Sequence, residues 1–165
     1  AIQLYGVDEF VDFGNPAWPA GLAARSLCAW GMPSSVDPGF GWLVAYGSPA
    51  TGQAMFIGIN GTGLYGGGYG DDLIVADFWV TNEWRHIALT YDGTTARMYT
   101  DGIEVASGAK NWDLALSRAH IGRQVNDAAE FWEGSVDEVR LYDTVLSQAE
   151  IAALAGRTVP MFKPF

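Results

Sequence analysis

The segment Trp84 to Asp101, WRHIALTYDGTTARMYTD, followed by GIEVASG, constrains the fold more than any other part of the chain. Apolar and polar residues alternate through it, and Asp92-Gly93 and Asp101-Gly102 interrupt the alternation. A period of two marks strands with one buried face, and Asp-Gly marks tight hairpin turns. The block therefore predicts antiparallel β-sheet.

The rest of the chain agrees. Its 165 residues suit one domain, and 49% apolar content suits a globular core. Twenty-one glycines and few charged residues (17%) fit a turn-rich all-β chain. A net charge of −10 repels phosphate backbones and anionic membranes, which argues against nucleic-acid partners and membrane insertion. The same acidity supplies oxygen ligands for hard cations, or serves solubility alone. The single cysteine, Cys28, excludes an internal disulfide and reads as a small buried side chain. No window is long and apolar enough to span a membrane as a helix. The start at Ala1 suggests a processed product or a piece of a larger protein, and residues 157–165, with two prolines, read as a linker stub.

Strands are expected at 2–5, 9–13, 25–30, 42–46, 55–59 and 64–65, with one or two more in 73–80. The hairpin system of 84–107 follows, then strands at 120–124 and 132–142. Asn60-Gly61 offers a type I′ turn, and Gly66 to Gly70 (GGGYG) looks too glycine-rich for regular structure. Only 146–155 reads as helix: Ser147 caps it, Glu150 completes a capping box, Ile151 and Leu154 share a face, and Gly156 ends it. Short strands at this spacing mean a sandwich or barrel, and the connections are too short for parallel crossovers.

Three segments in order carry a family resemblance: Tyr5 to Gly14 (YGVDEFVDFG), Trp84 to Gly102, and Gly134 to Tyr142 (GSVDEVRLY) with the helix after it. Together they resemble the bacterial laminin-G-like jelly rolls of the concanavalin A-like lectin/glucanase superfamily, over residues 1–156. The region 116–151 is also similar to the end of the pentraxin fold. The resemblance implies a two-sheet antiparallel β-sandwich (jelly roll) with one concave sheet and a short C-terminal helix. It implies secreted or cell-surface proteins, often multidomain, that bind glycans or extracellular proteins, commonly with structural calcium.

The resemblance also suggests sites. In the related glucanase branch a Val-Asp-x-Val-Arg-x-Tyr strand supplies an aspartate to calcium, which makes Asp137 the first metal candidate, with Asp8 as its partner; the alternative is an aspartate paired to Arg140 or a backbone amide. Gln124, Asn126 and Asp127 sit where pentraxins place calcium ligands, but the earlier Asp-Asn pair of that site is missing, and a plain polar loop is the simpler reading. Asp71 and Asp72 follow the glycine run, where backbone lies close to a ligand and carboxylates hold sugar hydroxyls; a solvated loop is the alternative.

Sugar C–H faces stack on aromatic planes, so Tyr69, Trp79, Trp112 and Trp132, near expected loops or strand ends, are candidate contacts as well as candidate core. Trp30 and Trp84 read as core, and Trp42 is ambiguous. Arg123 suits either an anionic ligand group or a neighbouring carboxylate.

Other motifs fail. Gly61 to Gly66 spells a dinucleotide loop with no helix behind it, and Asn60-Gly-Thr62 is better explained as a turn than as a glycosylation sequon. His86 and His120 are far apart in sequence and lack acidic residues at ligand spacing, against a zinc site. A retaining glycosidase needs two carboxyls about 5–5.5 Å apart. The superfamily's glucanases carry Glu-x-Asp-x-x-Glu, or a form one residue shorter, on one strand, and this chain has neither. Three functions follow, in decreasing order of expectation: a non-catalytic carbohydrate-binding module, a protein adhesion or assembly module, and a glycan-cleaving enzyme.

Overall fold

The computed structural model describes residues 1–36, 39–126 and 130–156. They form two six-stranded antiparallel sheets and one short helix. The strands are β1 (Ile2–Tyr5), β2 (Val11–Asp12), β3 (Arg25–Pro33), β4 (Phe40–Gly47), β5 (Ala54–Asn60), β6 (Gly63–Gly67), β7 (Leu73–Val75), β8 (Arg85–Tyr91), β9 (Thr95–Thr100), β10 (Ile103–Ala109), β11 (Arg118–Ile121) and β12 (Glu133–Tyr142). The helix α1 is Gln148–Leu154. The first sheet runs β1-β12-β3-β8-β9-β10 and the second β2-β11-β4-β5-β6-β7. The expected all-β sandwich is therefore the fold.

The alternation of 84–107 gives β8, β9 and β10, paired in sequence. Asp101 (φ 47°) and Gly102 (φ 82°) hold the two left-handed positions of a type I′ turn between Thr100 and Ile103. The Asn60-Gly61 expectation is corrected: Gly61 (φ 57°) is left-handed but Asn60 and Thr62 are not, so the turn lacks the pair that I′ demands. The glycine run is corrected as well, because Gly66 and Gly67 complete β6. A Cβ on Gly67 would collide with Asp72 and Phe56, and one on Gly68 with the Trp112 indole. Close approach of neighbouring side chains, not flexibility, requires those glycines.

Helix α1 has the predicted capping box. Ser147 accepts from the Glu150 N–H, and the Glu150 carboxylate accepts from the Ser147 N–H at 2.7 Å. The linker stub expected over 157–165, and Asp127, lie outside the described residues.

Facing residues of the two sheets form one core, including Leu27, Leu43, Tyr46, Ile57, Leu89 and Met98. Trp79, Trp112 and Trp132 belong to this core, each no more than 2% exposed. That corrects their candidacy as ligand contacts. Each indole contributes more by filling the space between the sheets than it would at a surface. Trp79 and Trp132 meet edge to face at 5.2 Å, and the Trp112 Nε1–H donates to the Asp71 carbonyl at 2.8 Å. Trp84 is corrected in the opposite sense. It precedes β8, behind the turn at 80–83, and is 39% exposed.

Two smaller apolar clusters lie outside the main core. On the outer face of the first sheet, Cys28, Ala88 and Tyr99 pack under Leu146 and Ile151 from the helical segment. Burial pushes the Cys28 thiol up to about 12, so it is an inert packing group. On the outer face of the second sheet, Trp42, Ala45, Ala54, Phe56 and Val125 form the other cluster, flanked by Tyr65 and Tyr69.

Candidate ligand pocket on the second sheet

The outer cluster of the second sheet is built by strand alternation. In β4 and β5, Tyr46 pairs with Met55 and Val44 with Ile57, and these face the core; Ala45 and Phe56, between them, face outward. A bulge between Trp42 and Val44 lets the Trp42 ring join the outward set. Trp42 and Phe56 meet edge to face at 4.0 Å, and Phe40 stacks near Trp42 at 6.4 Å.

Two loops rise over these rings and leave a pocket of about 230 Å³. Phe40, Trp42 and Phe56 supply its aromatic wall. From the loop after β6 come Tyr69, Gly70 and Asp72; from the segment after β11 come Gln124 and Glu130. The Glu130 carboxylate is fixed: one oxygen accepts from Trp42 Nε1 at 2.6 Å and from Gln124 Nε2. Gln124 is 4% exposed, and its Oε1 has no hydrogen-bond partner among the described residues. The Tyr69 hydroxyl accepts from Asn126 Nδ2 at 3.0 Å, tying the two loops together.

Asp71 and Asp72 diverge. Asp72 Oδ1 accepts the Gly68 and Gly70 N–H groups at 3.1 and 3.2 Å, and the side chain lines the pocket. Burial pushes its carboxyl up, against the opposing pull of those two amides and of Lys110. Asp71 instead meets Lys110 Nζ at 2.8 Å, and Lys110 also donates to the Asp72 carbonyl at 2.9 Å. The pairing corrects Asp71 from a ligand group to a strut of the loop.

The remaining candidates lie elsewhere. Arg123 stacks over Phe10 at 4.8 Å and Phe131 at 5.5 Å, beside the pocket. His120 has the acidic neighbour that its sequence context does not suggest: Asp12 lies 3.5 Å from its Nε2, and Nδ1 meets the Gln124 carbonyl at 2.8 Å.

The donor set for calcium is not assembled at Asp137. Its Oδ2 faces the amino group of Ala1 at 3.3 Å and its Oδ1 accepts the Glu138 N–H at 2.8 Å. Among the described residues no three His, Cys, Asp or Glu side chains are grouped to hold a metal.

Of the residues singled out from sequence, Tyr69 and Asp72 line the pocket directly, Gln124 lines it too, and Asn126 supports it through Tyr69. Sequence reasoning missed Phe40, Phe56 and Glu130 and left Trp42 open. One signal was present. Strands 42–46 and 55–59 are apolar on both faces, although a sheet in a sandwich needs only one buried face.

Among solved structures, the fold resembles domain 4 of AbnA, a GH43 extracellular arabinanase from Geobacillus stearothermophilus, in complex with arabinotriose (TM-score 0.68, 20% identity, 93% of this chain and 75% of that one). It also resembles the Ruminococcus gnavus IT-sialidase CBM40 bound to α2,3 sialyllactose (TM-score 0.67, 14% identity, 90% and 96% covered). The heptameric SAP-like pentraxin of Limulus polyphemus is similar too (TM-score 0.61, 13% identity, 92% and 83% covered), which agrees with the pentraxin likeness of the C-terminal part. No curated protein matches the sequence. A laminin-G-type family model spans residues 6–152, and the two-sheet topology accords with it, so the chain belongs to the concanavalin A-like lectin/glucanases superfamily.

Proposed function

We propose that this protein is a non-catalytic carbohydrate-binding module that holds a glycan in the pocket of the second sheet, as a secreted or surface-displayed part of a larger protein. One observation carries the reading. Phe40, Trp42 and Phe56 form an aromatic wall opposite fixed hydrogen-bonding groups at Glu130, Gln124, Asp72 and Tyr69. A sugar presents apolar C–H faces and a rim of hydroxyls, and this arrangement meets both. The fold likeness to a sugar-complexed domain of an extracellular arabinanase and to a sialyllactose-bound module supports the class of ligand and the location.

The non-catalytic part rests on how the acids are held. Asp72 is anchored by two backbone amides and Glu130 by Trp42 and Gln124, so both act as fixed acceptors. A glycan array probed with the wild type and with Phe40→Ala tests the proposal. Binding that the variant loses supports it; no binding to any polysaccharide, or release of reducing ends, overturns it.

A protein-contact role has one observation in its favour. Val80 and Trp84, 44% and 39% exposed, flank a single turn. A self-association that Trp84→Ser abolishes, with no glycan bound, would favour that role instead.

A further inference from the structure

We infer that the pocket selects saccharides without acidic groups and rejects carboxylated sugars, an inference that rests on the glycan-binding reading above. The argument is an inventory of charge and of hydrogen-bonding capacity.

Charge comes first. Two carboxylates, Asp72 and Glu130, line the pocket, and none of the described residues lining it carries a positive charge. The neighbouring cations are engaged: Lys110 with Asp71 at 2.8 Å, and Arg123 stacked over Phe10 and Phe131. A ligand carboxylate would enter a partly desolvated space beside two like charges, where repulsion is screened far less than in water.

Hydrogen-bonding capacity agrees. Three donors around the pocket are turned inward, while the Tyr69 hydroxyl, which accepts from Asn126, keeps its own hydrogen. Trp42 Nε1–H and a Gln124 Nε2–H go to Glu130, and the Gly70 N–H goes to Asp72. Acceptors remain. A carboxylate has about four lone-pair sites, and described residues fill two on Asp72 and two on Glu130. The Gln124 side-chain oxygen, Oε1, has no partner among the described residues, in a side chain 4% exposed. Its orientation is not ambiguous, because the amide nitrogen must face the Glu130 carboxylate. A buried acceptor without a donor is costly, and a ligand hydroxyl would relieve it. Such a pocket reads O–H donors, which neutral sugars carry around the ring and a carboxylate lacks.

The test compares matched pairs on one array: neutral glycans beside the same glycans oxidised to carboxylate at C6, and desialylated beside sialylated glycoproteins. Neutral members should bind at least about tenfold more tightly than their acidic partners, a gap of roughly 1.4 kcal/mol. That ratio should shrink toward one in Glu130→Gln and in Asp72→Asn, because the amides keep an acceptor oxygen and lose the charge. Acidic glycans that bind as well as neutral ones, through binding that Phe40→Ala removes, would overturn this inference and leave the glycan-binding proposal standing. Absence of binding to any glycan would overturn both.

Discussion

The outer faces of the two sheets carry similar apolar clusters and use them differently. On the first sheet, Cys28, Ala88 and Tyr99 are sealed by Leu146 and Ile151, and Ser26 fastens that segment by donating to the Thr144 carbonyl and accepting the Leu146 N–H. On the second sheet, among the described residues, Trp42, Phe56 and their neighbours are roofed by loops, and a pocket is left between roof and sheet. The closed cluster joins small and aliphatic side chains to Tyr99, with Tyr142 at its edge, and the open one holds Trp42 and Phe56 and is ringed by acceptors. An apolar face covered by a helix contributes to stability; one left partly open beside ordered polar groups is suited to a ligand.

Four experiments bear on that contrast. Ile151, on the inner face of the helix, is fully buried, so Ile151→Ala should cost about 2–4 kcal/mol in chemical denaturation. Glycan affinity should not follow it; a parallel loss of binding would mean that the two faces are coupled.

Acid should also weaken the sealed side first. His86 lies on that face against Trp30 at 5.4 Å, and desolvation, assisted by Arg140 and opposed by Asp101, lowers it from 6.5 to about 4. The unfolded chain then takes up a proton that the fold refuses. The stability contribution is complete above about 6.5 and is lost as pH falls toward 4, by on the order of 3 kcal/mol. Thermal melts of wild type and His86→Gln across that window should converge as pH falls. Parallel curves would remove His86 from the account.

On the open side, Phe40 is 43% exposed. Phe40→Ala should lower glycan affinity about tenfold while stability changes by about 0.5 kcal/mol or less. A stability loss comparable to that of Ile151→Ala would make the aromatic wall core rather than contact surface. The smallest effect concerns calcium. With Asp137 Oδ1 taken by the Glu138 amide and no grouped metal donors among the described residues, a chelator should leave the melting temperature and glycan binding unchanged. A drop in either would reveal a metal that these donors do not explain.

Some of this was legible in the chain. The alternation of residues 84–107, the Asp101-Gly102 turn, the capping box at Ser147 and Glu150, and the family likeness all depend on neighbours in sequence, and all appear as expected. The site was only partly legible. Tyr69 stood out as an aromatic near an expected loop and Asp72 because a glycine run precedes it, yet Asp71 beside Asp72 bonds a lysine 39 residues away. The tryptophans misled because loop adjacency is a poor guide to depth in a sandwich: Trp112 lies in a loop and is wholly buried, and Trp84 abuts a strand and is exposed.

What the sequence determined by itself is the antiparallel sandwich, its terminal helix and its superfamily, since hydrophobic period, turn chemistry and caps act over a few residues. Only the tertiary structure decided which apolar face is sealed and which stays open. That depends on where a helix and two loops land after the sheets stack, and on partners such as Glu130 and Trp42, 88 residues apart. Contacts at that range arise when strands and loops distant in sequence come together on one sheet, and no local pattern of residues encodes them.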